Sequence, residues 1–342
     1  MDWFQILFGF REKGYAETQA SFSVQGDRLV SRVNGESYGM GHFETPSLAT
    51  LRQRAAALPD LGPSRFEHIA VADIFEAHAR PEYQGALFQV ASQFNCLEFM
   101  GPHVLPEHGV TGYQSDPTQG PACAMAAGAA TVYRNYFAPV GDQVGQTRDR
   151  QLDNLAELAQ ALGPGDPGWD VRNGYTTSTL PRLAALRERL AAGDREALLG
   201  HVRIGLQTHV EVTFSSRFRR LAPRPEGPPT CSQAFCSALS VAYSGLGTGP
   251  WAPLGTLALD AAYEATLLAA ALDRAAGHGS GRVVLTFLGG GAFGNDEAWI
   301  TAAIGRAVGR AGRLGLHIEL AHYRRVDSRM RAQVDSAVPD GD

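Results

Sequence analysis

Apolar and polar positions alternate along residues 21–25, 28–33 and 36–43, and the runs are broken by Gly26-Asp27 and Asn34-Gly35, both turn-forming pairs. The first 60 residues thus read as a short helix, a hairpin and another helix, the last opened by Ser47 ahead of Leu48, Leu51 and Leu58. Phe66 to Asp73 reads as a strand that ends in an acid. A second, buried strand at Ala86–Ala91 leads into Ser92-Gln93-Phe94-Asn95. A polar loop rich in Pro and Gly, 101–120, precedes an Ala-rich helix at 121–133.

The stretch 141–200 has the helical period instead, with Leu152, Leu155, Leu158 and Leu162, then Leu183, Leu186 and Leu190, joined by the loop Gly163-Pro-Gly-Asp-Pro-Gly168. It reads as an insertion. A strand pattern at 202–214 and a Pro-rich loop at 222–229 follow. Beyond them the pattern gives a strand at 234–243, a loop at 244–255, a helix at 256–276, a buried strand from Arg282 to Leu288, a glycine loop at 289–295, a helix at 296–311 and a last strand at 314–323. Strands that alternate with helices imply a largely parallel sheet covered on both faces.

Composition narrows this only a little. The 342 residues carry a formal net charge of −5, which gives no support to electrostatic binding of nucleic acid. Of the 30 basic residues only Lys13 is a lysine, a skew that with the abundant Ala, Gly and Pro reads as the codon usage of a GC-rich genome. Cys96, Cys123, Cys231 and Cys236 have no CxxC or zinc-ligand spacing and are expected to be buried free thiols, which suits a reducing compartment. No signal peptide and no run of about 18 apolar residues is evident, so a soluble, cytoplasmic protein is expected.

The strongest local signal is Leu288-Gly289-Gly290-Gly291-Ala292-Phe293-Gly294-Asn295, between an apolar strand and a helix that Asn295 or Asp296 could cap. Glycines allow the backbone to approach a ligand, and consecutive N–H groups near a helix N-terminus suit phosphate oxygens. The loop also satisfies GxGxxG, with Glu319 at a distance suited to a ribose contact, so an NAD-dependent oxidoreductase has to be weighed. Position argues against it. Only one helix and one strand remain after the loop, and Glu319 lies inside the strand.

Several features in order resemble the macrodomain superfamily of ADP-ribose-binding folds, with the poly(ADP-ribose) glycohydrolase-like branch nearest. Val71-Ala72-Asp73-Ile74 resembles the segment whose acid accepts a hydrogen bond from the adenine amino group. The strand leading to Asn95 is similar to the one that gives an asparagine to the distal ribose. Thr118-Gln119-Gly120-Pro121 resembles the first ligand loop and its helix, and Tyr243 to Trp251 the later strand end, followed by a similar helix around Leu259 to Leu267. Gly289, Gly290, Gly291, Ala292, Phe293, Gly294 and Asn295 would form the second loop, around the diphosphate. The resemblance implies a three-layer α/β/α macrodomain-like mixed sheet. Residues 1–60 would form an N-terminal extension, and 61–342 the core with the helical insertion at about 141–200. It also implies ADP-ribose or an ADP-ribosylated substrate as partner, with a modified nucleic acid left open as the substrate, and no cofactor; no membrane partner is expected, since no run of about 18 apolar residues is present. Where glycohydrolases carry a catalytic Gln-Glu-Glu, this chain has Gln119-Gly120-Pro121.

Cleavage of an ADP-ribosyl bond needs a carboxylate near the distal ribose. Glu98, three residues beyond Asn95, is the candidate, against a solvated surface glutamate; Asp116 and Glu44 are weaker ones. Without Gln-Glu-Glu, a non-catalytic reader of ADP-ribose is the competing expectation. His209 and Glu211 share a strand face, as a metal pair or, since no third ligand is visible, as an edge polar pair. Arg134 and Tyr136 could touch ligand or close a helix, and Phe293 could lie on the ribose or plug the core.

Overall fold

The computed structural model describes residues 1–222 and 227–339; residues 223–226 of the expected Pro-rich loop lie outside the described residues. Seven strands build the main sheet: β1 (His42–Glu44), β2 (Arg65–Val71), β3 (Leu87–Ala91), β4 (Gly205–Glu211), β5 (Thr230–Cys236), β6 (Arg282–Leu285) and β7 (His317–Tyr323). Their order across the sheet is β1-β4-β5-β3-β6-β7-β2. The five strands from β5 to β2 run parallel, while β4 is antiparallel to both β5 and β1. Central strands with both faces covered need apolar side chains in both directions. That is why Leu87-Phe88-Gln89-Val90 and Val283-Val284-Leu285 are buried throughout rather than alternating.

Helices cover both faces, as the α/β/α expectation requires. On one face lie Ala252–Ala275, Glu297–Arg310, Leu48–Ala55 and the helices of the 141–200 stretch, whose Leu158, Leu183, Leu186 and Leu190 enter the same core. On the other lie Gln119–Ala126, Gly128–Tyr136 and the N-terminal Trp3–Phe8, with Phe4, Phe8 and Phe22 in edge-on aromatic contact. The first 60 residues also supply the edge strand β1.

The cap at Ser47 forms as expected, its Oγ accepting from the Thr50 N–H. Other boundaries move. The Ala-rich helix breaks at Ala127 (φ −117°, ψ 66°), and the strand expected at 234–243 is Thr230–Cys236, followed by a helical turn at Val241–Ser244. A C-terminal helix, Ser328–Ala337, was not expected. All four cysteines are free and buried, and no helix is long and apolar enough to cross a membrane among the described residues.

Candidate functional site

A cavity of about 690 Å³ opens at the carboxyl ends of β2, β6 and β7, between Asp73, the 117–119 turn and the glycine loop. The sheet itself makes the room. β6 pairs with β3 only at Leu87 and Phe88, so the backbone of β3 beyond them is left without a β6 partner. The Gln119 side chain fills that gap: its Nε2 donates to the Gln89 carbonyl at 2.8 Å, and its Oε1 accepts from the Ala91 N–H at 2.9 Å. Gly120 follows because nothing larger fits; a Cβ there would lie 1.9 Å from the Ala91 carbonyl oxygen.

The donors that face this cavity come from turns. Asp116 accepts from the Thr118 N–H (2.9 Å) and hydroxyl (2.6 Å), the turn-initiating role expected of it, and Thr118 caps no helix N–H. The N–H groups of Gln119 and Gly291, both on the cavity wall, meet no protein acceptor among the described residues. The positive ends of the Gln119–Ala126 and Glu297–Arg310 helices lie close by, so this wall suits an anion. Across from it, Asp73 caps the Ile74–Ala77 turn, accepting from the Phe75 N–H at 2.9 Å, with Arg217 Nε 4.0 Å from its second oxygen. That second oxygen accepts no hydrogen bond from the protein among the described residues.

Of the residues singled out in the sequence, Asp73, Ile74, Thr118, Gln119, Gly290 and Gly291 meet at the cavity. The others lie off its wall. Asn95 is fully buried and committed to the protein, donating to Gln151 Oε1 (2.7 Å) and accepting from the Leu97 N–H (3.1 Å). Asn295 donates to the Leu239 carbonyl at 2.7 Å, and Asp296, not Asn295, caps the following helix. Gly289 and Gly294 turn the loop at positive φ, with Ala292 exposed between them. Phe293 packs with Tyr175 and Tyr243, ring centroids 5.5 and 5.9 Å away.

Glu98 is not a solvated surface glutamate: it is 1% exposed. Its carboxylate lies 3.3–3.5 Å from Arg134 Nη2, and its Cγ stands 3.2 Å from the place a Gly120 Cβ would take. Burial pushes its carboxyl up to about 7, against the pull of Arg134. Arg134 also donates to Gln207 Oε1 and the Cys96 carbonyl and lies 3.6 Å over the Phe235 ring, so it holds the interior together and does not reach the cavity. Tyr136 donates to Glu12, and Glu44 pairs with Arg54. Glu319 is buried and pairs with Arg282. The His209–Glu211 pair does not form. A bulge between Gln207 and Val210 turns His209 toward the Ala252–Ala275 helix, while Glu211 accepts from the Gly39 N–H at 2.8 Å.

Sequence reasoning passed over Arg217, His322, Arg325 and Asp327, which also line the cavity. Arg325 follows the carboxyl end of β7, where parallel sheets collect their ligands, and that position was a usable signal. Arg217 sits in a short hairpin turn with no periodicity. His322 carries a chain of hydrogen bonds away from the cavity. Asp327 N–H donates to its Nδ1 (3.3 Å), so its Nε2–H donates to His68 Nδ1 (2.8 Å), and His68 Nε2 reaches Asp335 (3.1 Å).

No protein-family model matches the chain, and no curated protein matches it. Among solved structures, poly(ADP-ribose) glycohydrolase from Thermomonospora curvata aligns at TM-score 0.47 and 16% identity over 91% of this chain and 93% of that one. The same enzyme bound to the inhibitor ADP-HPD aligns at 0.46 and 14% identity, with the same coverage. Poly(ADP-ribose) glycohydrolase from Deinococcus radiodurans in complex with ADP-ribose gives 0.46 and 11% identity over 96% and 98% of the two chains.

Proposed function

We propose that the chain binds ADP-ribose, free or as an ADP-ribosyl group on a larger molecule, in the cavity at the carboxyl ends of β2, β6 and β7. The observation that carries this reading is the meeting of two chemistries on one cavity. Asp73 offers an acceptor oxygen suited to an adenine amino group, and the unpaired backbone N–H groups of Gln119 and Gly291 offer donors suited to a diphosphate. Arg217 and Arg325 add positive charge around the same space. A volume of about 690 Å³ lies within the range of pockets that take small molecules of this size.

A second step, hydrolysis of the ADP-ribosyl linkage, is favoured by one observation. Glu98, behind Gly120 at the start of the ligand-side helix, has its carboxyl raised toward neutrality, as a general acid at neutral pH requires. Its burial favours the other reading, a non-catalytic reader. Titration calorimetry with ADP-ribose, with NAD, ATP and AMP as controls, tests binding; absence of heat with ADP-ribose would end the proposal. Glu98→Gln then separates the two readings. Cleavage of an ADP-ribosylated substrate lost while binding survives supports hydrolysis; no cleavage by the unaltered protein leaves the reader.

A further inference from the structure

At the amino-terminal edge of the parallel strands, on the far side of the sheet from the cavity, three potential metal ligands converge from three elements. His209 comes from the bulge in β4, Asp273 from the last turn of the Ala252–Ala275 helix, and His278 from the loop after it. Their ligand atoms all lie within 4.8 Å of one another. His209 Nε2 is 3.1 Å from Asp273 Oδ1, and the two imidazole rings meet edge to face at 4.6 Å between centroids. We propose that His209, Asp273 and His278 form a binding site for a divalent first-row metal ion of the zinc class, with one coordination position left to water.

Charge pairing sets Asp273 apart. Glu98, Asp260, Glu264 and Glu319 are the other buried carboxylates, and each has an arginine: Arg134, Arg195 with Arg306, Arg52 with Arg310, and Arg282. Asp273 is 9% exposed, and among the described residues no arginine or lysine pairs with it; its partner is His209. It also sits in the last helical turn, where the macrodipole disfavours an anion. A buried carboxylate in that position calls for a cation, and a metal held by two imidazoles supplies one.

The surroundings are arranged as a metal site needs. Ser232 Oγ donates to Asp273 Oδ2 at 3.0 Å, which leaves Oδ1 toward the histidines and fixes the carboxylate plane. The N–H groups of His278 and Gly279 both donate to the Asp273 carbonyl, at 3.1 and 3.0 Å, so the loop that carries His278 is tied to the same residue. A side chain at Gly279 would press on the carboxylate, its Cβ 2.9 Å from Oδ2. His209 is held at φ +56°, a left-handed conformation costly for a residue with a Cβ, and this turn is what sends its ring toward Asp273. In a tetrahedral zinc site the donors stand roughly 3.3 Å apart for bonds of about 2.0 Å. His209 and Asp273 already meet that spacing, and the exposed His278 can close by side-chain rotation.

The second convergence of this type, Glu67 with His317 and Glu319, carries no such proposal. There Arg65 donates to His317 Nδ1 at 2.7 Å and Arg282 pairs with Glu319, so the positive charge is already supplied.

The test uses full-length protein without a histidine tag, stripped with a chelator and titrated with Zn²⁺ against a chromophoric competitor, then loaded with Co²⁺ for its visible bands. One equivalent is expected to bind, with tetrahedral-type cobalt absorption. His278→Ala, on an exposed loop and so without effect on the circular dichroism, should abolish that equivalent, as should His209→Ala. Ser232→Ala should weaken it roughly 10–100-fold through loss of the carboxylate's support. ADP-ribose binding should not move in His278→Ala, because the two sites lie at opposite ends of the strands. No stoichiometric Zn²⁺ in the unaltered protein would overturn the proposal, and so would binding that His278→Ala leaves intact.

Discussion

Glu98→Gln tests which of two opposed forces governs the buried carboxylate. Burial favours the neutral acid, while Arg134 favours the anion, but at 3.3–3.5 Å the contact is longer than the roughly 2.7–2.9 Å of a strong charge-assisted pair. Burial prevails and raises the carboxyl from 4.5 to about 7. The folded state then holds a proton that the unfolded chain has released throughout the window between those values. Stability attributable to Glu98 is therefore full below the unfolded value and falls as pH rises through about 7. At about 1.4 kcal/mol per pH unit, the shift corresponds to about 3 kcal/mol. Other carboxylates titrate in the acid range, among them Asp166 and Glu196, whose arginine partners lower them, so the informative quantity is a difference. Urea unfolding of both proteins from pH 5 to pH 8 should show the unaltered protein losing roughly 2–3 kcal/mol relative to Glu98→Gln. A flat difference would mean the carboxyl is not raised and is ionised across this range, which would remove the ground for a general acid there.

Gly291 has no neighbour within 4 Å of its would-be Cβ, so Gly291→Val should leave stability within about 0.5 kcal/mol while weakening ADP-ribose at least about tenfold, read by calorimetry. Gly120→Ala is the converse case, since its Cβ would meet the Ala91 carbonyl at 1.9 Å; a loss of about 2–3 kcal/mol in urea unfolding is expected, and an unchanged midpoint would refute the close packing. Asp73→Asn and Asp73→Ala should both lose ADP-ribose affinity, but Ala should also lose about 1 kcal/mol from the cap on the Phe75 N–H. Burial pushes the Cys96 and Cys236 thiols up to about 12, and raises Cys123 and Cys231 as well. A thiol reagent should therefore find none of the four in the folded protein and all of them in urea.

What the sequence made legible follows physical range. The strands β2, β3 and β6 and the Ser47 and Asp296 caps depend on neighbours a few residues away, and their patterns were readable. The glycine loop and Asp73 were readable for a related reason: each lies at a strand's carboxyl end, where backbone groups lose their ladder partners and a ligand can replace them. The role of Gln119 was not readable, because it fills a gap that opens only where β6 parts from β3, almost 200 residues along the chain. The burial of Glu98 escaped for the same reason; Arg134, Gly120 and Tyr113 enclose it, and no local pattern marks that enclosure.

The bulge in β4 shows what such long-range contacts can conceal. Strict alternation puts His209 and Glu211 on one face, but one residue at positive φ parts them and sends each to a different element. Glu211 then serves a backbone N–H of the N-terminal segment, and His209 reaches a helix end more than 60 residues away. A backbone conformation costly for histidine persists only where its surroundings hold it. Here they consist of a buried acid with no arginine or lysine among the described residues and a loop folded back onto that same acid. If metal supplies the missing charge, chelator treatment should lower the thermal midpoint of the unaltered protein and leave that of His209→Ala unmoved. Equal midpoints with and without chelator in both proteins would show that His209 and Asp273 satisfy each other alone.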